Sequence, residues 1–191
     1  MIPVNREELS VLVVGLGNRE ITPDALGPRV ADNMMITRHV IREFGKYALG
    51  AEHSNLISSI VPGVMAQTGM ESLEIIRGVI RETEPDCIVA VDALAARSVK
   101  RLNRTIQITN TGINPGSGVG NHRHGLNRES VGIPVIAIGV PTVVDAATIV
   151  NDAISGYYEE VDCTLNSFFV TPKDIDESIK RLSFTISEGL N

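Results

Sequence analysis

The chain alternates short apolar runs, mostly β-branched, with longer stretches whose apolar positions recur every three or four residues. Val11–Val14 is continuously apolar and stops at Gly15-Leu16-Gly17-Asn18, the pattern of a strand buried on both faces. Asp24 to Phe44 follows, with Leu26, Val30, Met34, Thr37, Ile41 and Phe44 on one helical face. Thr22-Pro23 precedes it, and a proline suits a first helical turn. Leu56–Val61 predicts a second strand ended by Pro62-Gly63, and Glu71–Thr83 a second helix with Leu73, Ile76 and Ile80 inward. Glu84-Pro85-Asp86 turns the chain into a third strand, Cys87–Val91, ending at Asp92. Thr105–Ile108 alternates like a half-buried strand, and Ile133–Val140 reads as the fifth. Pro141 is read as opening a helix with Val143, Ala147, Val150, Ile154 and Tyr157 on one face. A last helix follows Thr171-Pro172, with Ile175, Ile179, Leu182, Ile186 and Leu190 aligned.

Strands alternating with helices imply an α/β fold: three layers, α/β/α, around a mostly parallel central sheet. Its 191 residues suit a single domain, 1–191. In open sheets of this kind ligands bind beyond the carboxyl ends of the strands. Chemistry is therefore sought in Gly15–Asp24, Pro62–Gly69, Asp92–Ser98, Thr109–Asn121 and Gly139–Asp145.

Composition narrows the function. Apolar residues make up 43%, enough to form a core, and the net charge is −6. An acidic chain is a poor partner for a phosphate backbone, so nucleic acid is not expected. The 13 Arg against 4 Lys still allow a local arginine patch. Cys87 and Cys163 have no CxxC spacing, which excludes structural zinc and thioredoxin-like chemistry. The first residues carry no signal-peptide pattern, and no apolar stretch reaches membrane-spanning length. A cytoplasmic protein without membrane partners is expected.

Gly15-Leu16-Gly17 fails as a dinucleotide fingerprint, because Glu20 stands where the third glycine belongs. The glycines are read as permitting a tight turn and a close backbone approach. Asp24 and Asp92 carry more. Asp92 lies between Ile88-Val89-Ala90-Val91 and Ala93-Leu94-Ala95-Ala96, surroundings that disfavour a charged carboxylate. Two carboxylates brought together share a proton, so one can activate water while the other protonates a carbonyl. Taken singly, each aspartate reads more simply as a cap; taken together, at expected strand ends, they make a candidate acid–base pair. Asn110–Asn121 holds four glycines and a proline and reads as a loop able to offer backbone N–H groups to a substrate. His122 and His124 follow it and could join the carboxylates on a divalent metal, although a loop HxH is more often solvated.

These residues identify a family resemblance. Gly15-Leu16-Gly17-Asn18, Thr22-Pro23-Asp24-Ala25-Leu26-Gly27-Pro28, Pro62-Gly63-Val64-Met65 and Asp92-Ala93-Leu94-Ala95-Ala96-Arg97-Ser98 resemble the germination proteases of spore-forming Firmicutes. So do Pro115-Gly116-Ser117-Gly118-Val119-Gly120-Asn121 and Gly132 through Ala146. The resemblance implies an aspartic endopeptidase that degrades small acid-soluble spore proteins at germination, in the spore core. It places the two catalytic aspartates at Asp24 and Asp92, and implies a zymogen and a tetramer, a homo-oligomer of this chain; with no third carboxylate in these motifs, no cofactor or tightly bound metal is expected. Thr22, Thr68, Arg97, Gly116, Ser117 and Gly118 are the candidate substrate-binding residues; a surface ion pair is the plainer reading of Arg97.

The chain departs from the family pattern in two places. A long region precedes the first strand in family members, and a long insertion separates the helix after Asp145 from Val170-Thr171-Pro172-Lys173. Hydrogenase maturation peptidases form a second, more distant resemblance, with GxGN, two carboxylates and a later histidine that bind nickel on the substrate; His122 or His124 would supply that histidine. A non-catalytic homologue that only binds spore proteins is the third reading.

Overall fold

The computed structural model describes residues 8–50, 54–116, 124–154, 165 and 167–191. Six strands form one sheet: β1 (Ser10–Gly15), β2 (Leu56–Ile60), β3 (Cys87–Ala96), β4 (Gln107–Thr109), β5 (Val135–Asp145) and β6 (Phe169–Val170). The order is β2-β1-β3-β5-β4, with β6 also paired to β5. The pairs β1/β2, β1/β3 and β3/β5 are parallel, while β4 and β6 run antiparallel to β5. The helices are α1 (Leu26–Asn33), α2 (Arg38–Phe44), α3 (Met65–Thr68), α4 (Ser72–Thr83), α5 (Arg128–Val131), α6 (Ala146–Ile154) and α7 (Ile175–Leu190). Among the described residues no helix is long and apolar enough to cross a membrane.

The central strands β1, β3 and β5 are mostly apolar because both faces are covered. Alternate residues point to opposite sides. Val13, Val89, Val91, Ile138 and Val140 pack with Leu26 and Val30 of α1 and Ile175, Ile179 and Ile186 of α7. Leu12, Val14, Ile88, Ala90 and Val135 pack with Leu73 and Ile76 of α4 and with Leu126. This is the three-layer α/β/α arrangement with a mostly parallel sheet that the periodicity implies.

Three of the differences from the sequence reading shape the core and the site. The single helix expected over Asp24–Phe44 is a 3-10 turn at Thr22–Asp24, then α1 and α2 separated by extended backbone at Met34. The break is held by outside partners. Thr37 N donates to Ile57 O at 3.1 Å, Thr37 Oγ1 accepts from Ile57 N at 2.9 Å, and Met35 N donates to the Asn191 side chain at 2.8 Å. Those bonds cover part of the β2 edge and satisfy N–H groups that a continuous helix would have used.

The second difference is β3, which does not stop before Asp92 but runs on to Ala96. β1 ends at Gly15, opposite Val91, and from Asp92 onward β3 continues beside β5 alone. Third, Pro141 does not open a helix; β5 passes through it to Asp145. Pro141 faces Leu94 and Val143 faces Ala95, so Thr142 is an extra residue in the ladder. A proline, having no N–H, is tolerated at such a bulge.

Candidate active site

The glycines of the first loop set the site. A Cβ on Gly15 would lie 2.3 Å from Gly27 O, and one on Gly27 would lie 2.3 Å from Leu16 O and 2.4 Å from Val91 O. Real side chains never come so close to backbone, so both positions require glycine, and the start of α1 rests directly on the ends of β1 and β3. Gly17 has φ +113°, and a Cβ there would meet Asp24 O at 2.1 Å. Leu16 N donates to Val91 O at 2.8 Å, extending the β1/β3 contact by one step. The segment carrying Asp24 is thereby pressed against the point where β3 reaches Asp92.

Asp24 and Asp92 both line one pocket of about 740 Å³. Asp24 stands in the 3-10 turn, and its Oδ2 accepts from Asn18 N at 2.8 Å. Asn18 in turn turns the loop, its Oδ1 accepting from Glu20 N at 3.0 Å. Asp92 is 4% exposed, and its Oδ1 accepts from Ala93 N at 2.9 Å. Opposite it in the ladder stands Gly139, and Gly139 is paired with Gln107 of β4. Gln107 lines the pocket too, so the sheet supplies its floor from three adjacent strands.

The walls are mixed. Ile21, Val64, Val143 and Phe169 are apolar, and Arg97 and Arg101 are basic. The bulge contributes Thr142, whose carbonyl accepts from Thr171 Oγ1 at 2.9 Å. Asp152 of α6 accepts from Ser98 Oγ at 2.9 Å and Val99 N at 2.8 Å, anchoring the 3-10 turn Val99–Arg101 beside the pocket. These bonds hold the Asp152 carboxyl below its ordinary value, the Val99 N–H first and the Ser98 hydroxyl second.

Of the other sequence candidates, Arg97 and Gly116 line the pocket. Arg97 has no ion-pair partner among the described residues. Thr22 and Thr68 do not line it; the exposed Thr68 hydroxyl accepts from Met70 N at 3.2 Å and turns the chain locally. Ser117, Gly118 and His122 lie outside the described residues. His124 does not line the pocket: its Nδ1 pairs with Glu71 Oε2 at 2.7 Å just before α4, and its side chain is 76% exposed. Among the described residues no three His, Cys, Asp or Glu side chains gather as metal ligands. Arg101, Gln107, Thr171 and Phe169 were not legible as site residues; Thr142 falls within the strand-end segment Gly139–Asp145, although not singled out there.

The profile of the germination protease family matches residues 3–161. The germination protease of Caldanaerobacter subterraneus subsp. tengcongensis is 44% identical over 216 residues, covering 97% of this chain and 66% of that protein. That of Bacillus velezensis is 55% identical over 148 residues, covering 78% of this chain and 40% of its own length. The chain thus spans 40% to 66% of these two relatives. Among solved structures, the [NiFe] hydrogenase maturation protease HycI from Thermococcus kodakarensis KOD1 is similar at 19% identity and TM-score 0.45, over 94% of this chain and 91% of that one. The E. coli hydrogenase maturating endopeptidase HybD follows at 12% identity and TM-score 0.37, over 95% and 94% of the two chains.

Proposed function

The chain belongs to the germination protease family, and from that membership and its pocket we propose that it is an endopeptidase cutting small acid-soluble spore proteins at germination, with Asp24 and Asp92 as its acid–base pair. The observation that carries the reading is that these two carboxylates, far apart in sequence, line one pocket.

In the proposed reaction one aspartate, ionised, takes a proton from water as the water oxygen attacks the scissile carbonyl carbon. The other, protonated, gives its proton to the carbonyl oxygen. Collapse of the tetrahedral gem-diol breaks the C–N bond: the first aspartate gives its proton to the departing amine, and one hydroxyl proton of the gem-diol returns to the second aspartate, restoring both to their starting states. Two carboxylates facing one pocket favour a single shared proton, because ionising both at close range is costly. Asp92 is buried, at 4% exposure, so solvent is excluded from its side of the proposed proton transfer. Arg97 and Gly116, at the pocket wall, are the proposed substrate contacts. No metal enters this scheme, and the His124–Glu71 pairing speaks against a third ligand from that histidine.

The test is incubation of the purified chain with small acid-soluble spore proteins, reading cut sites by mass spectrometry. Discrete internal cuts are expected from the wild type and none from Asp24→Asn or Asp92→Asn. Cleavage that persists unchanged in either variant overturns the acid–base pair.

A further inference from the structure

Outside the catalytic pocket the molecule has a second groove, of about 560 Å³, between α1 and α7. Arg19, Arg29, Lys180 and Arg181 line it, against two carboxylates, Asp32 and Glu177. Four cations gathered in one groove stand out on a chain whose net charge is −6. Arg19 is committed to Asp32, with both guanidinium nitrogens on both carboxylate oxygens. Arg29, Lys180 and Arg181 have no ion-pair partner among the described residues. Phe184, also in the lining, is 57% exposed.

We infer that this groove is a second binding site, which captures an acidic stretch of a polypeptide substrate at a distance from the bond being cut. The inference rests on the endopeptidase reading. Three observations choose the occupant. Unpaired cations call for carboxylates, because a complementary charge set steers encounter and fixes register. An exposed phenylalanine beside them suits an apolar side chain within the same segment. And Asp32 and Glu177 in the walls oppose a continuous run of phosphates, which a nucleic acid would present, while leaving room for spaced carboxylates. Position supports the same occupant: Arg19 belongs to the loop that also places Gly17, Ile21 and Asp24 on the catalytic pocket.

The test separates the groove from the catalytic centre. Lys180 and Arg181 are exposed on α7, so the Lys180→Glu/Arg181→Glu double variant should fold, checked by circular dichroism and melting. Cleavage of a whole spore-protein substrate is compared with cleavage of a short peptide spanning the same bond, at low and high salt. The expected result is a KM for the whole protein raised about tenfold in the double variant, as the loss of close charge complementarity implies, with short-peptide turnover unchanged. The wild-type KM for the whole protein should rise with salt and that of the variant should not. Equal KM values for wild type and variant would overturn the inference. A second measurement does not depend on turnover: a labelled peptide of alternating glutamate and leucine should bind the Asp92→Asn protein and lose that binding when Lys180 and Arg181 are also reversed. Failure of the wild type to cut either substrate, with this peptide still bound through Lys180 and Arg181, would sink the peptidase reading and leave the groove standing as an acidic-peptide site. Binding of a labelled single-stranded oligonucleotide in preference to the peptide would overturn the choice of occupant.

Discussion

Gly27 packs backbone to backbone against Val91, so closely that a Cβ at Gly27 would stand 2.4 Å from the Val91 carbonyl oxygen. Gly27 lies three residues after Asp24 and Val91 immediately before Asp92. This one contact therefore couples the placement of both carboxylates to the sheet.

Gly27→Ala is expected to cost stability by about 1–3 kcal/mol or more, the range for forcing atoms into a filled interior, and to lower turnover with it. Gly15→Ala should behave likewise, since its Cβ would meet Gly27 O at 2.3 Å. Gly78→Ala is the control: it is in α4 with nothing within 4 Å of its Cβ, and should gain about 0.5–1 kcal/mol from helix propensity. Urea unfolding of the three variants checks the order.

Asp24→Asn and Asp92→Asn should each reduce cleavage by at least about 100-fold, and the double variant should be little worse than either single, because groups acting as a unit are non-additive. Asp145→Ala provides the contrast. Asp145 accepts from both the N–H and the hydroxyl of Thr148 at 2.7 Å, a cap on α6. Its loss should cost about 0.5–2 kcal/mol of stability and leave turnover near normal. Full activity in either Asn variant, at unchanged melting temperature, would falsify the pair mechanism.

Acid should loosen the wall beside Arg101. The Asp152 carboxyl is held below its ordinary value of 3.8 by Val99 N–H and the Ser98 hydroxyl. A carboxylate with a depressed folded pKa contributes fully above its unfolded value, and that contribution is lost as pH falls through the folded one. The protection of the Val99 amide against hydrogen exchange should therefore hold at neutral pH and fall below about pH 4, as the carboxyl takes up its proton. In Asp152→Ala it should be low at every pH; equal protection in variant and wild type would remove Asp152 from this role.

Cys87 is buried at the start of β3, and burial first, then the neighbouring Asp86, raises its thiol above the ordinary 9.0. In a Cys163→Ser protein the remaining thiol should react slowly with a disulfide reagent at pH 8 when folded and at the ordinary rate when unfolded. Fast reaction in the native state would contradict the burial.

What the sequence makes legible follows from how local each cause is. Continuous runs such as Val11–Val14 report their own burial, and the α7 stripe Ile175, Ile179, Ile186 reports its own face. Asp24 and Asp92 stand out because strand ends concentrate ligand sites in such sheets. The misreadings all have distant partners. Thr37 leaves the helical stripe because Ile57 takes its N–H and donates to its hydroxyl. Ala93-Leu94-Ala95-Ala96 has the look of a loop, alanine being a weak strand former, and is a strand because β5 continues beside it. Pro141 reads as a helix opening and is part of a bulged strand. The α1/α7 groove joins Arg19 to Lys180 and Arg181, residues from opposite ends of the chain, and no spacing in the sequence could announce it.

The two aspartates stand on different kinds of backbone. Asp92 is stitched into a ladder with β5 and follows a residue bonded to the β1 side, so freeing it means tearing the sheet. Asp24 stands in a short 3-10 turn closed by Asp24 N to Ile21 O and Ala25 N to Thr22 O, with its carboxylate accepting from Asn18 N. Local opening takes the route with fewest bonds to break. Opening of this centre is therefore expected to begin in the turn that carries Asp24, with the paired strand that carries Asp92 left in place.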